Sequence, residues 1–206
     1  MVLKERSWTA WFCVVALATA GPAVAQQPDN RRVTTIDHAV EFYLSDDALQ
    51  ALYVRDLDLG DLGATEARAG FFYNEDRDLI ATGDLLMDIG DEVDAPRRFV
   101  LRAGTRVYGA FLAPEDQDVF SIGVGGEAQY FLGSNRATSI MLGLFYAPDI
   151  VTFGQADNIK DVTLRFATRL RSGMDIFVGF RTLEIDIEPM DREVDDNLHV
   201  GLRRSF

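Results

Sequence analysis

The chain has 206 residues, of which 33 are Asp or Glu and 20 are Lys or Arg, so its formal net charge is −13 at pH 7. This charge argues against a nucleic-acid-binding role, because phosphates would be repelled. The single cysteine, Cys13, lies in an N-terminal apolar run. The rest of the chain therefore lacks disulfides, a thiol nucleophile and thiolate ligands for zinc.

The N-terminus has the three regions of a secretory signal peptide: basic residues, an apolar run over about 8–18, and small residues that include Ala23 and Ala25. We expect cleavage after Ala25. An uncleaved anchor helix is the alternative, but the run is shorter than the ~20 residues that span a bilayer. The predicted organisation is a signal peptide, a short periplasmic tether and one domain, over 1–25, 26–34 and 35–206.

Ten segments with a period of two follow, separated by turn residues, and each predicts a β-strand. The sixth segment shows the pattern, because Phe120, Ile122 and Val124 alternate with Ser121 and Gly123. We find no helical period of useful length after the signal. The ten segments lie at about 35–44, 48–57, 64–73, 79–89, 97–111, 119–132, 137–146, 160–170, 175–187 and 197–206.

This alternation fits either a soluble periplasmic β-sandwich or a membrane barrel, and three features favour the barrel. The segments are about ten residues long, as strands that cross a bilayer are. Their number is even, which lets a meander close. Aromatic residues gather at segment ends, as in interfacial girdles. The predicted fold class is all-β: a closed antiparallel up-and-down transmembrane β-barrel of about ten strands.

The five connections expected to face outward are all acidic, over about 45–47, 74–78, 113–118, 147–158 and 188–196. Their oxygen-rich side chains suit loosely bound Ca²⁺ or Mg²⁺, which would link this rim to lipopolysaccharide. None has the ligand spacing of a dedicated calcium loop, so solvated turn residues are the alternative.

The stretch LFYAPDIVTFGQADN, with VGGEAQYFLG before it and SDDALQALYVRDL and AGFFYNEDRDLIATG upstream, resembles the YfaZ family of Gram-negative outer-membrane proteins. Its most specific part is Tyr146-Ala147-Pro148-Asp149 followed by Gly154 and Asp157-Asn158. The resemblance covers about 35–206. It implies a barrel in the outer membrane of a Gram-negative bacterium, and it supplies no catalytic residues.

Alternation places rows of arginines on the face that would line the lumen, with carboxylates to pair with them. A barrel of this size is nearly filled by its own side chains, so a plug of ion pairs is one interpretation and a narrow selective pore is the other. We expect no cofactor and no enzymatic activity. The predicted lumenal charge cluster consists of Arg98, Arg102, Arg106, Arg165, Arg169, Asp37, Glu41 and Glu127.

The two histidines invite a different hypothesis, a hydrolase at the barrel rim. His38 lies on the first strand and His199 on the last, which closure would make neighbours. Alternation, however, sets His199 toward the lumen and His38 toward lipid, so the two side chains should point apart.

The last residues, HVGLRRSF, resemble the C-terminal signal by which outer-membrane barrels are recognised for assembly. His199, Gly201 and Phe206 fit that pattern, whereas Arg204 stands where an apolar residue is usual. The assembly machinery and outer-membrane lipid are thus the expected partners.

Overall fold

The computed structural model describes residues 38–58, 64–89, 98–113, 117–171, 173–187 and 190–206. The predicted signal peptide, with Ala23 and Ala25, the tether and Asp37 lie outside these ranges. No helix that is long and apolar enough to cross a membrane occurs within them.

The described chain is all-β, apart from one 3₁₀ turn at Asp149–Val151. The strands are β1 (His38–Leu44), β2 (Ala48–Asp58), β3 (Ala64–Asn74), β4 (Leu79–Asp88), β5 (Phe99–Leu112), β6 (Gln117–Leu132), β7 (Thr138–Ala147), β8 (Thr152–Gly154), β9 (Asn158–Arg171), β10 (Met174–Ile187) and β11 (Met190–Ser205).

Ten of these strands form a closed antiparallel up-and-down barrel, which confirms the predicted fold class. Each barrel strand pairs with its neighbours along the chain, and β11 closes the ring by pairing with β1, from Ala39 opposite Ser205 to Leu44 opposite Val200. The short β8 stays outside this count, because it pairs with the start of β6 beyond the end of β7.

Period-two alternation divides the strands into an outward and an inward face. The outward face is apolar on every barrel strand, and its large side chains are exposed; examples are Phe42, Phe71, Leu85, Leu101, Ile122, Leu142, Leu164, Val178 and Val200. Polar and charged side chains are concentrated on the inward face. This arrangement is the reverse of a water-soluble barrel and is the one that a lipid surround requires.

The aromatic residues at the strand ends do not all face outward, contrary to the predicted girdle. Phe42, Phe71 and Tyr146 do so, but their sequence neighbours Phe72 and Phe145 are buried in the lumen. Adjacent residues of a strand point to opposite faces. In each pair of consecutive aromatic residues, one side chain therefore faces outward and the other faces the lumen.

Both described ends of the chain lie at one end of the barrel, which we call the terminal end. His38 and Phe206 exchange two backbone hydrogen bonds there, at 3.3 and 2.8 Å. The opposite end, which we call the far end, has the turns after β1 and β3. The last strand begins at Met190, seven residues before its predicted start at 197.

Candidate functional site

The lumen is the candidate site, and its contents change along the barrel axis. Inward apolar side chains of the far half pack into one layer, here called the apolar layer, among which some buried polar groups also lie. Its largest fully buried members are Tyr108, Phe72, Ile80, Leu112, Ile159, Leu183 and Ile185. These side chains come from strands all around the ring, so the far half is filled like the core of a globular domain.

A network of ion pairs, here called the charged layer, lies next to the apolar layer. Arg106 donates to both carboxylate oxygens of Asp84, at 2.8 and 2.7 Å, and to Asp161 at 2.7 Å. Arg181 donates to the same Asp161 at 3.1 and 2.8 Å. Tyr108 belongs to the apolar layer but places its hydroxyl 3.4 Å from Asp161, so the two layers are in contact.

Further pairs of the charged layer cross the lumen nearer the terminal end. Arg68 on β3 binds both oxygens of Glu127 on β6, at 2.5 and 2.7 Å, and also contacts Glu66. Arg165 on β9 and Arg203 on β11 both donate to Glu41, at 2.7 and 3.0 Å. The Arg68–Glu127 and Arg165–Glu41 bonds join strands that are not neighbours in the sheet, so they brace the ring across its interior, whereas Arg203 and Glu41 are cross-strand partners on β11 and β1.

Aromatic side chains support the guanidinium groups from the wall. The guanidinium carbon of Arg106 lies 3.9 Å from the centre of the Phe145 ring, and that of Arg165 lies 4.0 Å from the centre of the Phe177 ring. A cation over an aromatic face is stabilised most where water is excluded. Phe145 and Phe177 therefore help to hold Arg106 and Arg165 in position.

The far end carries a separate set of contacts that ties its turns to β11. Arg192 donates to the fully buried Asp78 at 2.9 Å and to the carbonyl of Ala113 at 2.5 Å. Asn197 donates to Asp47 at 2.9 Å, and the Tyr43 hydroxyl donates to Asp195. These bonds hold the connections that follow β1, β3 and β5 against the last strand.

The predicted cluster is only partly brought together. Arg106, Arg165, Glu41 and Glu127 are members of the charged layer, and Arg102 lies 3.8 Å from Glu127 without a hydrogen bond. Arg98 is exposed one residue before β5, and Arg169 is half exposed at the terminal end, where it binds Asp175 at 3.1 Å. Asp37 is outside the described residues. The sequence reasoning missed Arg68, Arg181, Arg203, Glu66, Asp84 and Asp161.

Two spaces lie inside the barrel among the described residues, and the larger of the two is at the terminal end. A cavity of about 250 Å³, here called the terminal cavity, opens between the charged layer and that end. A second space of only about 30 Å³ lies between the side chains of the charged layer, which is room for about one water molecule. The lumen thus narrows from the terminal end toward the apolar layer.

The two histidines are on opposite faces of the wall. His199 is buried in the lumen, with its ring centre 4.1 Å from that of Tyr43 and 6.0 Å from that of Phe177. Its two ring nitrogens have no hydrogen-bond partner among the described residues. His38 is on the outward face, where it contacts the Tyr53 hydroxyl and stacks on Phe206. The pair therefore shares no site.

Across the described ranges, no group of three or more His, Cys, Asp or Glu side chains has the arrangement of a metal site. The acidic connections are described only in part, because Glu115 and Asp116 lie outside these ranges. Cation binding at the acidic rim stays a prediction.

Neither a family model nor a curated protein matches the chain. Among solved structures, the outer membrane channel DcaP of Acinetobacter baumannii matches with a TM-score of 0.43 and 9% identity, over 85% of this chain and 60% of that chain. The chain thus spans less than two thirds of the length of that channel. The barrel assignment itself rests on the strand pairing described above.

Proposed function

We propose that this chain is an integral outer-membrane β-barrel of the YfaZ type with a plugged lumen and a structural role. Membrane residence is supported by the apolar outward face of every barrel strand, because such a surface is too large to be stable in water. The secretory signal predicted over 1–25 supplies the export that this location needs.

We place the terminal end in the periplasm and the far end outside the cell. The polar tether predicted over 26–34 precedes β1 at the terminal end, which suits a chain delivered from the periplasmic side. The acidic connections then face outward, where lipopolysaccharide and divalent cations are the proposed neighbours. The assembly machinery would recognise β11 from the same periplasmic side.

The observation that carries the structural role is the apolar layer that fills the far half of the lumen. Hydrated ions cannot cross a packed hydrocarbon layer, because the groups that would replace their water shells are missing. The charged layer beneath it is internally paired and adds a second obstruction. A narrow pore would need both layers to open.

We propose no enzymatic role for the histidines. A general base needs a partner that orients it and access to a substrate. His199 is packed between Tyr43 and Phe177, and His38 is on the outward face.

The test is single-channel recording on the full chain, folded in detergent and inserted into planar bilayers. We expect no conductance steps, because the lumen is filled by its own side chains. Folding is checked on the same sample by heat-modifiable gel mobility, and an open porin serves as the positive control for insertion. Regular steps from folded protein would contradict the structural role and favour the narrow pore. Recovery of the protein free in the periplasm would contradict the membrane location.

A further inference from the structure

The terminal cavity has an unusual lining for a chain with a net charge of −13. Six arginines line it: Arg68, Arg102, Arg136, Arg165, Arg169 and Arg203. Among the described residues, four carboxylates do so: Glu41, Glu66, Glu127 and Asp175. The described lining is therefore positive by two charges inside an acidic protein.

Each of the four carboxylates is already engaged by an arginine other than Arg102 and Arg136. Glu127 accepts hydrogen bonds from both terminal nitrogens of Arg68, and Glu41 accepts hydrogen bonds from Arg165 and Arg203. Glu66 is in contact with Arg68, and Asp175 accepts from Arg169. All four carboxylates of the described lining are therefore already paired with arginines.

Arg102 and Arg136 carry the surplus charge. Arg102 lies 3.8 Å from Glu127, which is too long for a hydrogen bond. Arg136 lies in the β6–β7 turn with its guanidinium carbon 4.2 Å from the centre of the Phe131 ring, and its buried Nε has no hydrogen-bond partner among the described residues. The buried Nε of Arg165 lacks one too. An excess of guanidinium groups over carboxylates at a cavity favours an anion.

We propose that the terminal cavity is a binding site for one small, doubly charged oxyanion, such as a phosphate or a dicarboxylate, held by Arg102 and Arg136. Two negative charges would cancel the surplus of the lining. Planar guanidinium groups bind phosphate and carboxylate oxygens through paired donors, and both classes of ligand offer such oxygens.

The size of the cavity limits the ligand. A volume of about 250 Å³ is below the range of pockets for drug-sized molecules, roughly 300–1,000 Å³. It corresponds to roughly eight water molecules at about 30 Å³ each. Inorganic phosphate and a four-carbon dicarboxylate fit these limits.

This inference does not rest on the proposed structural role. The lining belongs to the barrel interior, so binding can be measured in micelles whether or not the barrel conducts. A silent barrel that does not bind anions would contradict only the anion site, and a conducting barrel that does bind them would contradict only the structural role.

The experiment is isothermal titration of the full folded chain in an uncharged maltoside detergent at low chloride. Inorganic phosphate and succinate are the two test ligands, and acetate is the singly charged comparison. We expect one-to-one saturable binding of at least one of the two, tighter than that of acetate by about tenfold or more, because acetate leaves one surplus charge unmatched. Phosphate alone would identify a phosphoryl ligand, and succinate alone a carboxylate ligand.

Arg136→Gln should weaken binding by about tenfold or more, because it removes a charged donor set. Arg55→Gln is the matched control, since it removes the same charge from the exposed outward side of β2. If Arg136→Gln does not fold by gel mobility, Arg102→Gln gives the same test from β5. Equal affinity in the cavity and control variants, or titrations that do not saturate, would overturn the proposal.

Discussion

Asp161 is the residue on which the charged layer converges. Its side chain is fully buried, and its two oxygens accept from both Arg106 and Arg181. Neither guanidinium reaches bulk water easily, since their side chains are only 12% and 4% exposed. Without the Asp161 carboxylate, the buried guanidinium groups of Arg106 and Arg181 would lose a negative charge that stabilises both of them.

Asp161→Asn should therefore lower the free energy of unfolding by about 3–5 kcal/mol, the usual cost of breaking a buried pair from one side. The measurement is urea-induced unfolding and refolding in lipid vesicles. The matched control is Asp186→Asn, which breaks an exposed pair with Lys160 at 3.2 Å. That change should cost less than about 1 kcal/mol. Equal losses in the two variants would show that the charged layer does not stabilise the barrel.

Individual residues show how much of this site can be predicted from the sequence. Alternation indicates which side chains face inward, and it correctly predicts that Arg106, Arg165, Glu41 and Glu127 line the lumen. It does not indicate which inward groups meet across the lumen. The partners come from strands far apart in sequence, as in the pair of Arg68 and Glu127, and their distances depend on the register of every strand between them.

At the scale of elements, the strand starts and ends were predicted within a few residues wherever alternation is unbroken. The exception is β11. A β-bulge opposite Leu183 and Glu184 leaves Val194 and Asp195 both buried, because the extra residue of a bulge breaks the period of two. The stretch before 197 therefore loses the pattern that would have marked it as a strand.

The end of β11 closes the ring. A change at Phe206 therefore tests whether this closure is needed for assembly. Phe206 stacks on His38, with ring centres 6.1 Å apart, and exchanges two backbone hydrogen bonds with it. Deletion of Phe206 removes all of these contacts and leaves the edge of β1 unpaired at the terminal end. We expect less heat-modifiable protein in the outer-membrane fraction.

The comparison for this deletion is Phe206→Ala, which removes the ring but can keep the two backbone bonds. A larger loss in the deletion than in Phe206→Ala would assign the effect to closure of the sheet. The same loss in both would assign it to the aromatic side chain, as an assembly signal requires. Unchanged assembly in both variants would contradict our interpretation of HVGLRRSF.

At the scale of the whole molecule, the apolar and charged layers block the lumen in series. Tyr108 and Phe72 are the two largest fully buried side chains of the apolar layer. Arg106 and Arg181 bridge the lumen in the charged layer through Asp161. Because either layer alone obstructs the path, opening one of them should not create a pore.

Tyr108→Ala with Phe72→Ala should therefore lower stability, by about 3–5 kcal/mol for each ring, and yet stay silent in planar bilayers. Adding Arg106→Ala and Arg181→Ala removes the two arginines that bridge the lumen through Asp161, and conductance steps should then appear in whatever fraction still folds by gel mobility. Conductance already present in the first double variant would mean that the charged layer passes ions once the apolar layer is open. In that case the ion pairs would be the lining of a gated pore, because paired charges that exchange partners can carry an ion past them.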